Sequence, residues 1–278
     1  MEKDLNTTTE LAALNQGRRH VLAPPEHLDR LVHADLDALP AAGEGRGAVR
    51  RLELPDGRAL LIRRYRHGGL FRAITGGRFF TARRPLAELR VTIEAAGRSV
   101  PVPRAVGVIS EFRGLLLAVY LVTEEIDGAI DLGAYLRSLP AAPTREIAVE
   151  RREVADALGK AVRTMHDAGL HHADLQVKNI LLRRTTTGVE VFFIDLDKSS
   201  LRAGPLPGRL RARNLMRLNR SALKMRLVPP PVDDDDRRRF LAAYRAGGST
   251  LGDVPALLRR CRRHAAWHAV GWRLFRGS

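Results

Sequence analysis

The segment His172-Ala173-Asp174-Leu175-Gln176-Val177-Lys178-Asn179 sets a carboxylate and an amide five residues apart. A second carboxylate, Asp195, stands sixteen residues beyond the amide, at the end of the apolar run Val191-Phe192-Phe193-Ile194. Phosphoryl transfer from a nucleoside triphosphate needs a carboxylate near the attacking hydroxyl and a pair of oxygen ligands for Mg²⁺ on the triphosphate. All three groups occur here, in order. Taken singly, each has a structural reading: Asp174 as a capping residue, Asn179 in a turn, Asp195 as a strand-end acid. The ordered set, with a hairpin between its second and third members, places the three side chains around one point and favours the chemical reading. His172 is read differently, since a histidine in such a loop packs and bonds the backbone.

The elements that must carry these groups can be traced along the chain. Asn179 to Leu182 and Val189 to Ile194 read as a strand pair around the turn Thr185-Thr186-Thr187-Gly188. Ahead of them, Ile147, Val154, Leu158, Ala161, Val162 and Met165 keep helical spacing over Thr144 to His166, and Gly169 is placed to terminate that helix. Nearer the N-terminus, VRRLEL from Val49 and ALLIRRY flank Pro55-Asp56-Gly57, a β-hairpin whose turn glycine accepts positive φ. Gly43-Glu44-Gly45-Arg46-Gly47 precedes it, and alternate glycines let backbone N–H groups approach a ligand closely. A helix follows from Pro85, with Leu86, Leu89 and Ile93 on one face and Gly97 at its end. Strands at Ala105 to Ile109 and Leu115 to Thr123 then complete a small, mostly antiparallel sheet with one helix. This predicts an α+β chain with a tail over residues 1–30, a sheet-bearing lobe over 31–125 and a mainly helical part over 126–278. Asp233 to Asp236 read as a solvated helix start or loop, because four adjacent carboxylates repel one another.

Composition sets outer bounds. The 278 residues, 45% hydrophobic and 28% charged, suit one folded catalytic unit. The single cysteine, Cys261, can form neither an intramolecular disulfide nor a thiolate zinc site with a second cysteine, which fits a reducing compartment. The longest apolar stretch, Leu115 to Val122, is far short of the roughly 20 residues that cross a bilayer, and the acidic start MEKDLNTTTELAAL lacks the order of a secretory signal. His20, His27 and His33 show no metal-ligand spacing. Forty-seven Lys and Arg against thirty-one Asp and Glu give a formal charge of +16, so the preferred partner is anionic. Nucleic acid, anionic lipid and a phosphorylated glycolipid all satisfy that charge, although no aromatic stacking platform or nucleic-acid reading motif accompanies it.

HHADLQVKNILL together with FFIDLDKSS resembles the kinase-fold signature of the lipopolysaccharide core kinases, and most closely that of the 3-deoxy-D-manno-octulosonic acid (Kdo) kinases. Supporting segments are Gly45-Arg46-Gly47, LLIRRYRHGGL (60–70), Arg84 with Glu88, Val100-Pro101-Val102-Pro103, LVTEEIDGA (121–129) and Asn214-Leu215-Met216-Arg217-Leu218-Asn219-Arg220-Ser221, so the likeness spans about residues 40–225. It implies a two-lobed protein-kinase-like fold that uses ATP and Mg²⁺, with nucleotide bound by the first lobe. It further implies phosphorylation of a Kdo hydroxyl on a lipid A precursor, by a cytoplasmic enzyme peripheral at the inner face of the bacterial inner membrane. By that likeness Asp174 matches the catalytic base, Asn179 and Asp195 the Mg²⁺ ligands, and Glu88 the helix glutamate that holds a strand cation. Glu124 to Ile126 match the hinge whose backbone meets adenine, and Gly45 and Gly47 lie in the phosphate-covering turn.

Three departures matter. Arg63 stands where protein kinases place a phosphate-binding lysine, which keeps the charge and changes its hydrogen-bond geometry. Asp197 replaces the glycine that follows the metal aspartate by two positions. There is no Ala-Pro-Glu, and little chain separates Asp195 from the helix expected near Asn214, so no peptide-docking activation segment is expected. Arg63, Arg64, Arg66 and Arg72 lie near the nucleotide lobe, and Arg211, Arg213, Arg217, Arg220 and Lys224 recur beyond Asp195. Guanidinium forks suit the carboxylate of Kdo and the phosphates of lipid A, and Arg213, Arg217 and Arg220 are the expected acceptor contacts; a solvated face is the alternative for each. Trp267, Trp272 and Phe275, with Arg262, Arg263 and Arg273, suit either an interfacial helix or core packing. A heptose or other small-molecule kinase of the same fold, or a membrane-associated pseudokinase, are the competing readings, and no nucleic-acid partner is expected.

Overall fold

The fold is taken from a computed structural model, which describes residues 10–42, 49–65, 79–140, 143–225, 227 and 232–246. The chain divides into two compact units, Met1–Gly97 with Pro103–Ile126, and Arg98–Val102 with Asp127–Ser278. In the first, six strands form one antiparallel sheet: β1 (Ala12–Gln16), β2 (Arg19–Ala23), β3 (Val49–Glu53), β4 (Ala59–Arg64), β5 (Ala105–Arg113) and β6 (Leu116–Glu124), in the order β1-β2-β5-β6-β4-β3. The strand alternation divides its two faces. From β6, Ala118, Tyr120 and Val122 pack with Leu31 and Val32 of α1 (Pro25–His33), while Val119 and Leu121 pack with Leu89 of α2 (Arg83–Gly97). Gly57, at φ +82°, turns β3 into β4, and Leu54 N–H donates to Arg58 O at 2.8 Å.

The N-terminal residues differ from the expectation. From Ala12 the chain already belongs to the sheet, and β1, β2 and α1 occupy residues 12–33 where a tail to residue 30 is expected. Their apolar content is only a few residues per element, yet Val21, Ala23 and Leu31 are buried because β5 and β6 offer a face to cover. β2 approaches β5 so closely that a Cβ on Gly107 would fall 2.1 Å from Leu22 O.

In the second unit, Asp131 caps α3 (Leu132–Ser138) by accepting from Ala134 N–H at 2.8 Å. Thr144 caps the long helix α4 (Arg145–Asp167), and Gly169, at φ +85°, reverses the chain after it. β7 (Ile130–Asp131), β9 (Ile180–Thr185) and β10 (Gly188–Phe193) form one sheet, and β8 (Leu170–His171) pairs with β11 (Ser200–Leu201). Helices α5 (Gly208–Lys224) and α6 (Asp234–Arg245) follow. α6 lies against α4 at Gly159, where a Cβ would meet Phe240 O at 2.4 Å. The acidic run does start a helix, but it is not simply solvated: Asp233 and Asp236 form a capping box, and Asp236 is buried against Arg151. Among the described residues no helix is long and apolar enough to cross a membrane.

Candidate active site

The loop after β8 is closed by backbone and side-chain bonds that follow from the hairpin β9–β10. A 3₁₀ turn at Val177–Asn179 lets Asn179 N–H donate to Gln176 O at 2.9 Å and feeds the chain into β9. The returning strand brings Ile194 N–H to Asn179 O at 3.0 Å, so Asp195 emerges next to the buried Asn179. Asn179 Nδ2 donates to Asp174 O at 2.9 Å and lies 3.4 Å from Asp174 Oδ2. With its amide nitrogen so engaged, the oxygen of Asn179 is the atom suited to a cation. Asp195 takes a left-handed backbone, φ +63°, a conformation that aspartate tolerates better than most residues. The chain then turns at once: Leu196 is buried, Ala173 N–H donates to Ser199 Oγ at 3.0 Å, and Ser200 pairs with His171. The loop bearing Asp174 and the segment bearing Asp195 are thereby clamped together, and α5 follows directly.

His172 completes the clamp from inside. Its Nε2–H donates to Ile194 O at 3.1 Å, and its Nδ1 accepts from Asp174 N–H at 3.2 Å, which requires the neutral Nε2–H tautomer. Burial pushes this imidazole down to about 4, against smaller raising effects from the Ile194 carbonyl, Asp195 and Asp174. Asp174 itself is half-buried. Burial acts to raise its pKa, but the Gln176 amide, the Arg217 guanidinium and the Lys178 charge outweigh it and hold the carboxyl below its ordinary 3.8. Gln176 Nε2 and Arg217 Nη1, the latter at 3.1 Å, both converge on Oδ1.

One face of α5 thus docks on this loop. Asn214 Nδ2 donates to His172 O at 2.7 Å, Arg217 reaches Asp174, and Ser221 Oγ accepts from Val177 N–H at 3.2 Å. Sequence reasoning assigned no site role to Asn214, Gln176 or Ser221. The three-to-four spacing of Asn214, Arg217 and Ser221 is visible in the sequence, but not which face of α5 meets the loop. The expected acceptor contacts Arg213, Arg217 and Arg220 recur at helical spacing on α5, and the Arg217 side chain is 43% exposed even while it reaches Asp174. Arg211, grouped with them from sequence, is a correction: it is 2% exposed, pairs with Asp167 at 2.7 Å and donates to Leu206 O at 2.6 Å.

In the first unit, β4 and α2 bring Arg63 to Glu88. Arg63 Nη2 lies 2.7 Å from both carboxylate oxygens, and the guanidinium stands 4.9 Å from the Tyr65 ring centroid. Glu88 is 3% exposed, and a carboxylate so buried needs a cation beside it. At the end of β6 the Glu124 side chain accepts from Arg58 at 3.0 Å and Arg104 at 2.9 Å, and its N–H donates to Arg104 O. Ile126 is the last residue of the unit. Gly45, Gly47, Arg66 and Arg72 lie outside the described residues, as do Cys261 and the C-terminal aromatic and basic residues from Arg262 to Phe275.

The donor set near Asp174 is one amide oxygen and one carboxylate, hard oxygen ligands of the kind Mg²⁺ takes together with phosphate oxygens and water, so the residues fit that ion. Comparison with known proteins bears on the whole arrangement. A family model described as "Lipopolysaccharide kinase (Kdo/WaaP) family" matches residues 42–244. The 3-deoxy-D-manno-octulosonic acid kinase of Xylella fastidiosa (strain M23) is 31% identical over 194 residues, 68% of this chain and 71% of that protein. The enzyme of the same name from Xanthomonas oryzae pv. oryzae (strain PXO99A) is 33% identical over the same shares. A solved structure of WaaP in complex with acyl carrier protein superposes with a TM-score of 0.57 at 23% identity, covering 88% of this chain and 96% of that one, and shows the shared protein-kinase-like fold. With the family match spanning both units and the Asp174–Asn179–Asp195 loop inside it, the chain belongs to the lipopolysaccharide kinase (Kdo/WaaP) family and is a phosphotransferase.

Proposed function

We propose that the enzyme transfers the γ-phosphoryl group of ATP, with Mg²⁺, to a hydroxyl of Kdo on a lipid A precursor. The observation that carries this reading is the clamped loop. Asp174 is kept ionised, with Oδ1 held by Gln176 and Arg217 and Oδ2 carrying only the longer 3.4 Å contact from Asn179, so Oδ2 is the oxygen with room to accept from a substrate hydroxyl. An ionised carboxylate is suited to accept the hydrogen bond that orients the hydroxyl, and to take its proton as the new O–P bond forms and ADP departs. Asn179 Oδ1 and the Asp195 carboxylate are the groups that would hold Mg²⁺, whose bound charge neutralises the triphosphate. Arg63, braced by Glu88, is the cation for the nucleotide phosphates. Because the Glu124 side chain is committed to Arg58 and Arg104, adenine recognition falls to the backbone of Glu124 and Ile126, with Gly45 and Gly47 over the phosphates.

In this reading the first unit binds nucleotide, and the second carries catalysis and the acceptor. Arg213, Arg217 and Arg220 present guanidinium groups on one helix whose middle member touches Asp174, which suits the carboxylate of Kdo or a lipid A phosphate. The +16 charge suits peripheral contact with anionic inner-membrane lipid from the cytoplasmic side. The test is mass spectrometry after incubation with ATP, Mg²⁺ and Kdo-bearing lipid A precursor, with a heptose-bearing acceptor in parallel. Gain of one phosphoryl group on the Kdo acceptor, lost in Asp174→Asn while ATP still binds, is the expected result. Transfer to heptose alone would replace the substrate, and full turnover by folded Asp174→Asn would remove Asp174 from the chemistry.

A further inference from the structure

Behind the catalytic loop lies a run of buried polar side chains that the transfer reaction does not itself use. Tyr244 of α6, His166 of α4 and Asn214 of α5 are all fully buried, and Arg211 is 2% exposed. Arg211 Nη1 lies 3.4 Å from Tyr244 Oη, Tyr244 Oη 2.8 Å from His166 Nδ1, His166 Nε2 3.2 Å from Asn214 Oδ1, and Asn214 Nδ2 2.7 Å from His172 O. The two ends settle every proton between them. The His172 carbonyl can only accept, so Asn214 must present its NH₂ there and its oxygen to His166. His166 must then carry its proton on Nε2 and accept at Nδ1 from the tyrosine hydroxyl, whose oxygen accepts from a guanidinium that can only donate. One polarity satisfies all the links, and the chain joins three helices and ends, through Asn214, on one carbonyl two residues before Asp174.

We propose that Asn214 is a positioning residue for phosphoryl transfer, aligning the His172–Asp174 turn through this one-directional hydrogen-bond chain from Arg211 by way of Tyr244 and His166. The proposal rests on the reading of Asp174 as the catalytic carboxylate. Asn214 holds the peptide plane between His172 and Ala173 through its carbonyl, while the His172 ring holds the Asp174 N–H. Loss of the first contact frees the loop to shift, and displacement of a reacting group by about 1 Å can cost on the order of 100-fold in rate.

Asn214→Asp is the informative change, since it keeps size and the acceptor for His166 but sets an oxygen against the His172 carbonyl. Steady-state kinetics are normalised to folded enzyme by circular dichroism and by ATP-binding stoichiometry. The expected result is a kcat at least about tenfold lower with KM for ATP within about twofold, because the nucleotide contacts are untouched. A second readout separates positioning from mere stability: once protonated, the introduced carboxyl could donate to His172 O, so the variant's kcat relative to the parent should rise as pH falls from about 8 to about 6. Parental kcat per folded molecule, or a ratio that does not change with pH, overturns the proposal. If Asn214→Asp does not fold, Tyr244→Phe decides. It removes the donor to His166 Nδ1 with almost no change in shape, and a kcat per folded molecule at least about threefold lower supports the chain, whereas an unchanged value overturns it. Asp174→Asn in the same assay keeps the two readings apart, for activity in that variant would overturn the catalytic assignment itself.

Discussion

Replacing His166 by glutamine should flatten the acid side of the stability profile, and the size of the effect follows from the burial of the ring. The imidazole is enclosed by α4, α5 and α6. Burial pushes its pKa down to about 3 from 6.5, the Arg211 and His171 charges push the same way, and the Asn214 bond and Asp167 oppose them. The unfolded chain therefore takes up a proton near pH 6.5, and the folded chain does so only near pH 3. Between those values the unfolded state binds more protons, so stability falls as pH falls; the contribution is fully present above the unfolded value and lost on the way down to the folded one. At pH 5, about 1.5 pH units below the unfolded value, a cost of ~1.36 kcal/mol per unit amounts to about 2 kcal/mol relative to neutral pH. Glutamine can keep a donor toward Asn214 but cannot titrate. His166→Gln should be less stable than the parent at pH 7, and the gap should narrow by about 2 kcal/mol at pH 5. Urea unfolding at the two pH values, followed by far-ultraviolet circular dichroism, measures the gap. A gap that stays constant to within about 0.5 kcal/mol would refute the claim that a neutral, enclosed His166 carries this pH dependence.

Arg63→Ala removes the guanidinium that lies 2.7 Å from both oxygens of the buried Glu88 carboxylate and should cost about 2 kcal/mol in unfolding free energy as well as raising KM for ATP; Arg63→Lys should recover most of both, because one nitrogen, Nη2, makes both of these contacts. Thermal unfolding and ATP-varied kinetics check it, and full activity in Arg63→Ala would place the phosphate cation elsewhere. Joint replacement of Arg213, Arg217 and Arg220 by alanine should raise KM for the acceptor far more than KM for ATP, with an effect that shrinks as salt rises. Arg217→Ala alone should also lower kcat, because it releases Asp174 Oδ1, whereas the Arg213 and Arg220 changes should not. Gly159→Ala places a methyl 2.4 Å from the Phe240 carbonyl and should destabilise by about 1–3 kcal/mol through the α4–α6 contact, seen as a lower melting temperature.

Much of the architecture is written in local signals. The positive φ of Gly57, the apolar spacing of α4 with Gly169 behind it, and the β9–β10 hairpin around Thr185 to Gly188 depend on residues within one turn or one strand pair. The placement of the candidate site groups is local for the same reason: Asp174 and Asn179 sit in one loop, and the β9–β10 hairpin brings Asp195 back beside Asn179. The short elements β1, β2 and α1 were not legible, because each carries too few apolar residues to announce itself and is ordered by the face it covers.

The partners of the site residues belong to the tertiary structure. Helical spacing places Asn214, Arg217 and Ser221 on one side of α5, but only packing against the loop decides that this side meets His172, Asp174 and Val177. Residue type misleads in the same way. An arginine such as Arg211 and an aspartate such as Asp236 are normally solvated, and each is buried here because distant chain supplies its counter-charge: Asp167 for the first, Arg151 for the second. The order of the candidate site groups is a property of neighbours in sequence, and Asp174 draws on near residues, Gln176 and Asn179, as well as on distant Arg217; the bonds that hold its loop in place reach to Ile194, Ser199, Asn214 and Ser221, 22 to 44 positions away. Burial free energy brings those residues together, and no local pattern encodes it.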